Sequence, residues 1–581
     1  MTNAEVPARR RNRPGDPGWP SEGEWAELKG QVGGRLLDLE TPFAPCRDAP
    51  DGAACADALR QVRNPYWLGD QPALTQASGW LDAWMSEPSV RAVAAATPED
   101  VAVAVRFARA HDLRVVVKGG GHSYHGTSNA AGSLLIWTRA MNQVVLHDAF
   151  VPAGGAGSIQ PQPAVSVGAG AIWMQVYDAV MTRAGRYVQG GGCMTVGVAG
   201  LIQSGGFGSF SKGFGLAAAG LLEAQVVTAD GETTIANART NPDLFWALKG
   251  GGGGNFGVVT RLTLRTRELP PTLGIVFASI RAHSDDAFRR LITRVLGFYR
   301  DQLFNSHWGE QIGFGPDNTV GIGMVFQGLS RQEAEDAWRP LFDWVTEPSE
   351  DLGWVTPPSF EDLPGRQFWD AEILQRVAPG RVITDDREGA RPESFLWAGN
   401  EVEAGQFLHA YYSRWLPASL LADDQLDTLG DALFASSRHW RVALHFNKGL
   451  AGASDADLAA ARDTATSPAV LDAFALAVII AEGPPAFAHM PGAGVDLTAA
   501  RRDAAAVQRA GDEVSRVVPR PGSYVSESDF FIADWQEAFW GSNYQALVAV
   551  KQKYDPTGLF FVHHGVGSDD WSEDGFTRVG K

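Results

Sequence analysis

The chain has 581 residues, 45% of them hydrophobic, enough to bury a large core and, on length, to form roughly two to four domains. Its 67 acidic against 49 basic residues give a formal charge of −18, an anionic surface that repels phosphate backbones and argues against general nucleic-acid binding. No apolar run approaches the roughly 20 residues needed to cross a bilayer, so no membrane span is expected.

Near the start, Arg9, Arg10, Arg11 and Arg13 are followed by Pro14, Gly15, Asp16 and Pro17, where an export signal needs an apolar segment. Residues 1–20 therefore read as a disordered tail, and the sequence as written reads as cytoplasmic, with secretion left open. Cys46, Cys55 and Cys193 are too few and too scattered for a zinc cage. Cys46 and Cys55 either pair across a short Pro/Asp/Gly-rich loop or stay free thiols, and both readings stand. Cys193 lies alone in a glycine-rich segment.

The first strong elements are a helix at 98–110, with Val101, Val103, Val105 and Phe107 among small alanines, then a strand at 114–117 and a loop at 118–126. Strands follow at 133–137, 143–146 and 164–167, then a helix at 171–184 with Trp173, Val176, Tyr177 and Val180 at helical spacing. Residues 223–228 and 232–235 flank Asp230-Gly231 as a hairpin. Asn241-Pro242 reads as an N-cap and first helical residue opening a helix at 243–248. From about 273 the pattern becomes strands alternating with amphipathic helices: strands at 274–281, 320–327, 440–446 and 473–481, helices at 285–298 and 331–344.

Glycines cluster at 119–121, 190–192, 205–208 and 250–254. The first run follows a strand directly, letting backbone N–H groups converge on an anion; a tight structural turn is the equal alternative. Gly252, Gly254 and Gly257 satisfy GxGxxG but lie between a helix and a strand, the reverse of the nicotinamide-cofactor order. No GxSxG or HExxH occurs. Taken alone, His122 is a loop imidazole and Cys193 an inert thiol; only their pairing separates function from packing.

Four segments carry a resemblance: KGGGHSYHG from Lys118, GGGCMTVGVAG from Gly190, FWALKGGGGGNFGVVT from Phe245, and WGSNYQALVAVKQKYDPTGLF from Trp540. In this order the chain, from about residue 20 to 570, resembles the flavoproteins of the vanillyl-alcohol oxidase and p-cresol methylhydroxylase type, specifically the berberine-bridge-enzyme-like oxidases. Residues 444–452 (LHFNKGLAG) and SYVSESDF from Ser523 are similar to the subgroup named isoamyl alcohol oxidases.

The resemblance implies an α+β protein: a two-part FAD-binding domain plus an α+β substrate domain with an antiparallel sheet. The expected division is a FAD-binding domain at 21–270 (core 88–268), a substrate domain at 271–500, and a C-terminal segment, 501–581, that closes the FAD-binding domain. It implies FAD bonded at 8α to His122 and at C6 to Cys193, which raises the flavin potential. Cofactor contacts are implied for Lys118, Gly119, Gly120, Gly121, Ser123 and Gly126, for Gly192, Thr195, Val196, Gly197 and Gly200, and for Gly205 and Gly206. Asn255, Gly257, Val258 and Asn543 complete the set. Val196 matches the position that gates dioxygen, and a valine there goes with oxidase behaviour.

The implied activity is transfer of a hydride from an alcohol to flavin and of electrons to dioxygen, giving peroxide. An oxidative cyclase acting on a natural product and a non-catalytic flavin-binding protein are the alternatives. Tyr124 matches a family active-site tyrosine. Strand alternation puts Arg441, Ala443, His445 and Asn447 on one side, with His445 as the first candidate base, and Glu527, where plant members carry tyrosine, as the second. Glu401 and Glu403 either line the cavity or are solvated, and stay outside the catalytic set. No metal is expected: His563 and His564, adjacent on an extended segment, would face opposite ways, with at most one toward the flavin. The expected partners are a small alcohol and O2.

Overall fold

The computed structural model describes residues 9–348, 350–520 and 522–579. Three larger sheets organise it. In the four-stranded sheet the order is Leu36–Asp38, Arg91–Ala94, Leu134–Trp137, Val115–Lys118, with the last three mutually parallel. The helix that spans this crossover, Pro98–Ala110, starts on a capping box between Thr97 and Asp100 with Pro98 in its first turn, and Arg35 pairs with Asp100. Its buried Val101, Val105 and Ala108 pack beneath the sheet.

A five-stranded antiparallel sheet follows, in the order Thr233–Asn237, Leu221–Val227, Val258–Arg265, Gln162–Gly168, Val144–Phe150. Asn241 occupies the N-cap position of helix Pro242–Leu248, with Pro242 in the first turn as expected, but it sits at φ +49° and its amide donates to Thr234 Oγ1 and Ile235 O, so the side chain stitches the hairpin end and does not cap the helix.

The third sheet has nine strands and carries the second domain. Its centre runs Thr272–Ala282, Thr319–Gln327, Trp308–Phe314, Val442–His445, Ala473–Gly483 and Phe407–Pro417, each antiparallel to the next. Helices Asp285–Phe298, Arg331–Thr346, Leu426–Ser437 and Leu497–Val517 supply apolar residues to the core on one face, leaving the other for a cavity.

Two boundaries differ from the sequence expectation. Gly79–Trp80 and Trp84–Met85, early in the chain, extend the nine-stranded sheet because Gly79 and Trp80 pair in parallel with Phe407 and Leu408. Leu497–Val517 packs on Phe407–Pro417 and Ala473–Gly483 through Val507, Ala510 and Val514, so it belongs to that sheet and not to the segment closing the first domain.

The expected N-terminal tail is ordered from Arg9 onward; residues 1–8 lie outside the described residues. Arg10 and Asn12 make β-bridges to Thr577 and Leu113. Arg11 is 2% exposed, donates to Gly575 O at 2.6 Å, Leu559 O at 3.2 Å and Gly558 O, and lies over the Trp571 ring at 4.0 Å. Composition points to disorder, but one guanidinium satisfies three carbonyls of the C-terminal loops, which tethers both chain ends. Cys46 and Cys55 form a disulfide joining helices Ala44–Asp48 and Ala53–Gln61. Among the described residues no helix is long and apolar enough to cross a membrane.

Replacing Arg11 with Ala strands those carbonyls, so stability should fall by about 2–4 kcal/mol. Amide exchange should rise selectively over 555–579, as read by hydrogen–deuterium exchange mass spectrometry.

Candidate active site

Strand Val115–Lys118 delivers the first glycine loop at its C-terminal end, and the loop leading into helix Val198–Gln203 delivers the second. The two touch: a Cβ on Gly120 would meet Gly197 N at 2.6 Å and Thr195 O at 2.9 Å, so only glycine permits the approach. His122 and Cys193 therefore meet on one wall, and His122 Nε2 lies 3.0 Å from Thr195 Oγ1. Burial holds the His122 imidazole down to about 4, so it is neutral, and burial followed by the Glu403 charge pushes the Cys193 thiol up to about 12.

The wall belongs to a cavity of about 1250 Å³ between the glycine loops and the bare face of the nine-stranded sheet. The other walls come from residues 252–255, 524–527 and 560–565. Its sheet side is rich in ionisable groups. Lys448 Nζ pairs with Glu527, whose Oε2 also accepts from Tyr411 Oη at 3.3 Å. The Tyr124 and Tyr411 rings are 5.6 Å apart, and Trp84 Nε1 donates to Tyr124 O at 3.0 Å. Arg441, Ala443, His445 and Asn447 all line the cavity, as the alternation requires, and burial, aided by Lys448 and Arg441, lowers His445 well below its usual range.

Of the expected cofactor contacts, Gly119, Gly120, Gly121, His122 and Ser123 line this cavity, as do Gly192, Cys193, Val196, Gly197, Gly200, Asn255 and Gly257. Thr195 lines only the small side pocket beside His122 and Cys193. Six others are elsewhere. Lys118 spends its ammonium on Gln71 O, Pro72 O and Leu74 O, at 3.2, 2.6 and 2.8 Å, and supports the loop from behind. Gly126 backs onto the Trp84 ring, Gly205 onto Thr466 and Gly206 onto Leu201. Val258 is buried in its strand, and Asn543 donates to Thr466 O at 2.9 Å. None of these six lines the cavity.

His563 and His564 both line the cavity, against the expectation of one. His564 takes φ +51°, which breaks the extended alternation and leaves the two rings 3.9 Å apart. His563 stacks on Phe530 and its Nε2 lies 2.9 Å from Phe530 O, whereas burial takes His564 down to about 2. Among the described residues no group of three metal-ligating side chains is arranged around an ion.

Three carboxylate and phenol positions lie outside the sequence-based set. Glu403 lines both the cavity and the side pocket, takes an amide hydrogen bond from Asn400 at 2.8 Å, and is raised to about 7 by burial. Its alternation with Glu401, which is exposed, is the available signal. Glu310 accepts from Ser209 Oγ at 2.5 Å, is raised by burial, and sits at φ +73° inside strand Trp308–Phe314. That backbone costs a non-glycine residue about 1–3 kcal/mol and has no sequence signature. Tyr411 comes from Phe407–Pro417, a strand that the sequence pattern does not mark.

The family described as FAD binding domain matches residues 90–237, and that described as berberine and berberine like matches residues 523–567. The FAD-linked oxidoreductase easE of Epichloe festucae var. lolii is 30% identical, the alignment covering 99% of this chain and 93% of that protein. The chain belongs to the FAD-linked oxidoreductases. A second relative, malF of Malbranchea aurantiaca, is 29% identical over 97% of this chain and 93% of its own.

In fold, this FAD-linked oxidoreductase is similar to the VAO-type flavoprotein MtVAO615 of Myceliophthora thermophila C1, with a TM-score of 0.77, 24% identity and coverage of 97% and 98%. It is also similar to glucooligosaccharide oxidase of Acremonium strictum, described with a 6-S-cysteinyl, 8α-N1-histidyl FAD, with a TM-score of 0.63, 17% identity and coverage of 93% and 99%.

The cavity suits FAD on its own terms. It exceeds the roughly 300–1,000 Å³ of common small-molecule pockets, leaving room for a dinucleotide and a substrate. A Cβ on cavity-lining Gly200 would meet nothing within 4 Å, so this helix turn presents bare backbone to a ligand. Asn447 Oδ1, Gln406 Oε1 and His564 Nδ1 are buried on the wall and have no hydrogen-bond partner among the described residues.

Gly120→Ala should force the two loops apart, costing about 1–3 kcal/mol, and should lower the flavin-to-protein absorbance ratio of the purified enzyme.

Proposed function

We propose that this FAD-linked oxidoreductase is an oxidase of an alcohol substrate, with FAD bonded to both His122 and Cys193. The observation that carries the reading is the convergence of a neutral imidazole and a thiol on one wall of a cavity that also holds the Lys448–Glu527 pair and the hydrogen-bonded Glu310. A neutral imidazole has a nucleophilic nitrogen available, which a protonated ring lacks. The bicovalent flavin described for the Acremonium strictum oxidase supports the same assignment.

When bound, FAD supplies the acceptor for a hydride. His122, Gly120, Gly121, Ser123 and Asn255 hold it from the loop side, and Gly197 and Gly200 from the helix side. The protein's own task is to bind the alcohol, keep bulk water out and take its hydroxyl proton. Tyr124 is placed to hydrogen-bond the alcohol oxygen. Glu527 is held by the Lys448 ammonium and by Tyr411, so it orients the Tyr411 phenol and supplies fixed negative charge. His445, kept neutral by burial, offers an acceptor on the sheet side. Val196 lines the cavity next to Gly197 and is partly exposed, and in this reading it admits dioxygen, with hydrogen peroxide as co-product.

Intact mass of the denatured protein tests the attachment. His122→Ala and Cys193→Ala should each keep a covalent flavin and the double variant should lose it; wild-type protein without the added mass would defeat the proposal. An alcohol substrate should bleach the flavin under nitrogen, and air should restore the colour with one peroxide per turnover. Tyr124→Phe should lower kcat/KM by about 10- to 100-fold, read by steady-state kinetics on that alcohol.

A further inference from the structure

Beside the large cavity lies an enclosure of about 20 Å³, whose walls include His122, Tyr124, Cys193, Thr195, Glu403 and Gln406. Gln406 is 1% exposed, and its Oε1 has no hydrogen-bond partner among the described residues. A space this small has little room for substrate, yet Cys193, whose thiol is free, and Glu403 both line it.

A thiol attacks as its thiolate. Burial, followed by the Glu403 charge, pushes the Cys193 thiol up to about 12, so the reactive form is scarce at neutral pH. Attachment at a useful rate therefore needs a proton acceptor at the sulfur. His122 is committed to its own bond. Glu527 is committed to Lys448 and Tyr411. Glu403 remains: Asn400 holds Oε1 at 2.8 Å and leaves Oε2 for a further donor, and no other charge acts as strongly on the thiol.

We propose that Glu403 takes the proton of the Cys193 thiol as the sulfur bonds to flavin C6, making it the base for the second tether. The inference rests on the covalent attachment proposed above. The S–H bond breaks with its proton passing to Glu403; the S–C6 bond forms and the C6 hydrogen leaves as a proton. The two electrons so released reduce the flavin ring, and dioxygen then takes them, leaving as hydrogen peroxide. Glu403 acts before turnover and need not touch substrate.

The test uses a His122→Ala background, where only Cys193 can hold the flavin, and reads covalent flavin by intact mass and in-gel fluorescence over time. His122→Ala should become labelled, and His122→Ala/Glu403→Gln should do so about 10²-fold more slowly. Cys193→Ala/Glu403→Gln should keep its flavin through His122, showing that glutamine at 403 folds and binds FAD. Equal labelling with Glu or Gln at 403 would overturn the proposal, as would loss of the His122 bond in Cys193→Ala/Glu403→Gln. If His122→Ala alone carries no flavin, the Cys193 tether itself fails, an outcome distinct from failure of the base.

Discussion

The approach of Gly120 to the backbone of Thr195 and Gly197 is the contact on which the site depends. Two loops from distant parts of the chain can lie this close only where no Cβ intervenes. Everything on that wall follows: His122 reaches Thr195, Cys193 shares its pocket, and Glu403 and Gln406 close that pocket from the second domain. The loop is braced from behind by Lys118, whose ammonium is saturated by three carbonyls.

Desolvation sets the charge state of most cavity groups and acts in opposite directions on acids and bases. It keeps the imidazoles of His122, His125 and His445 neutral and raises Glu310 and Glu403 toward protonation. The Lys448–Glu527 pair is the exception, a charge pair stabilised by mutual contact and by Tyr411. A site of nearly neutral donors and acceptors suits a reaction that moves a hydride and a proton separately, because fixed dipoles need little reorganisation.

The chain ends show how far composition can mislead. An arginine-rich, proline-rich start has the composition of a disordered tail, yet Arg11 is buried among carbonyls of residues 558–575. Those carbonyls need donors, and the partner that supplies them lies more than five hundred positions away in sequence. Local composition carries no trace of such a partner.

Local pattern by itself determined much of this protein. The apolar pattern marks Pro98–Ala110 and Asp285–Phe298 at their observed ends, because it is a property of neighbouring residues. The glycine loops with His122 and Cys193 are legible through their motifs, and strand alternation places Arg441, Ala443, His445 and Asn447 together. Tertiary structure alone decided which motif residues face the cavity, sending Lys118, Gly205 and Asn543 into packing, and it brought Glu310 and Tyr411 to the site and chose Glu403 over Glu401 to line it. Their roles arise from desolvation, a strained φ and contacts across two domains, and these depend on distances in space that no window of sequence contains.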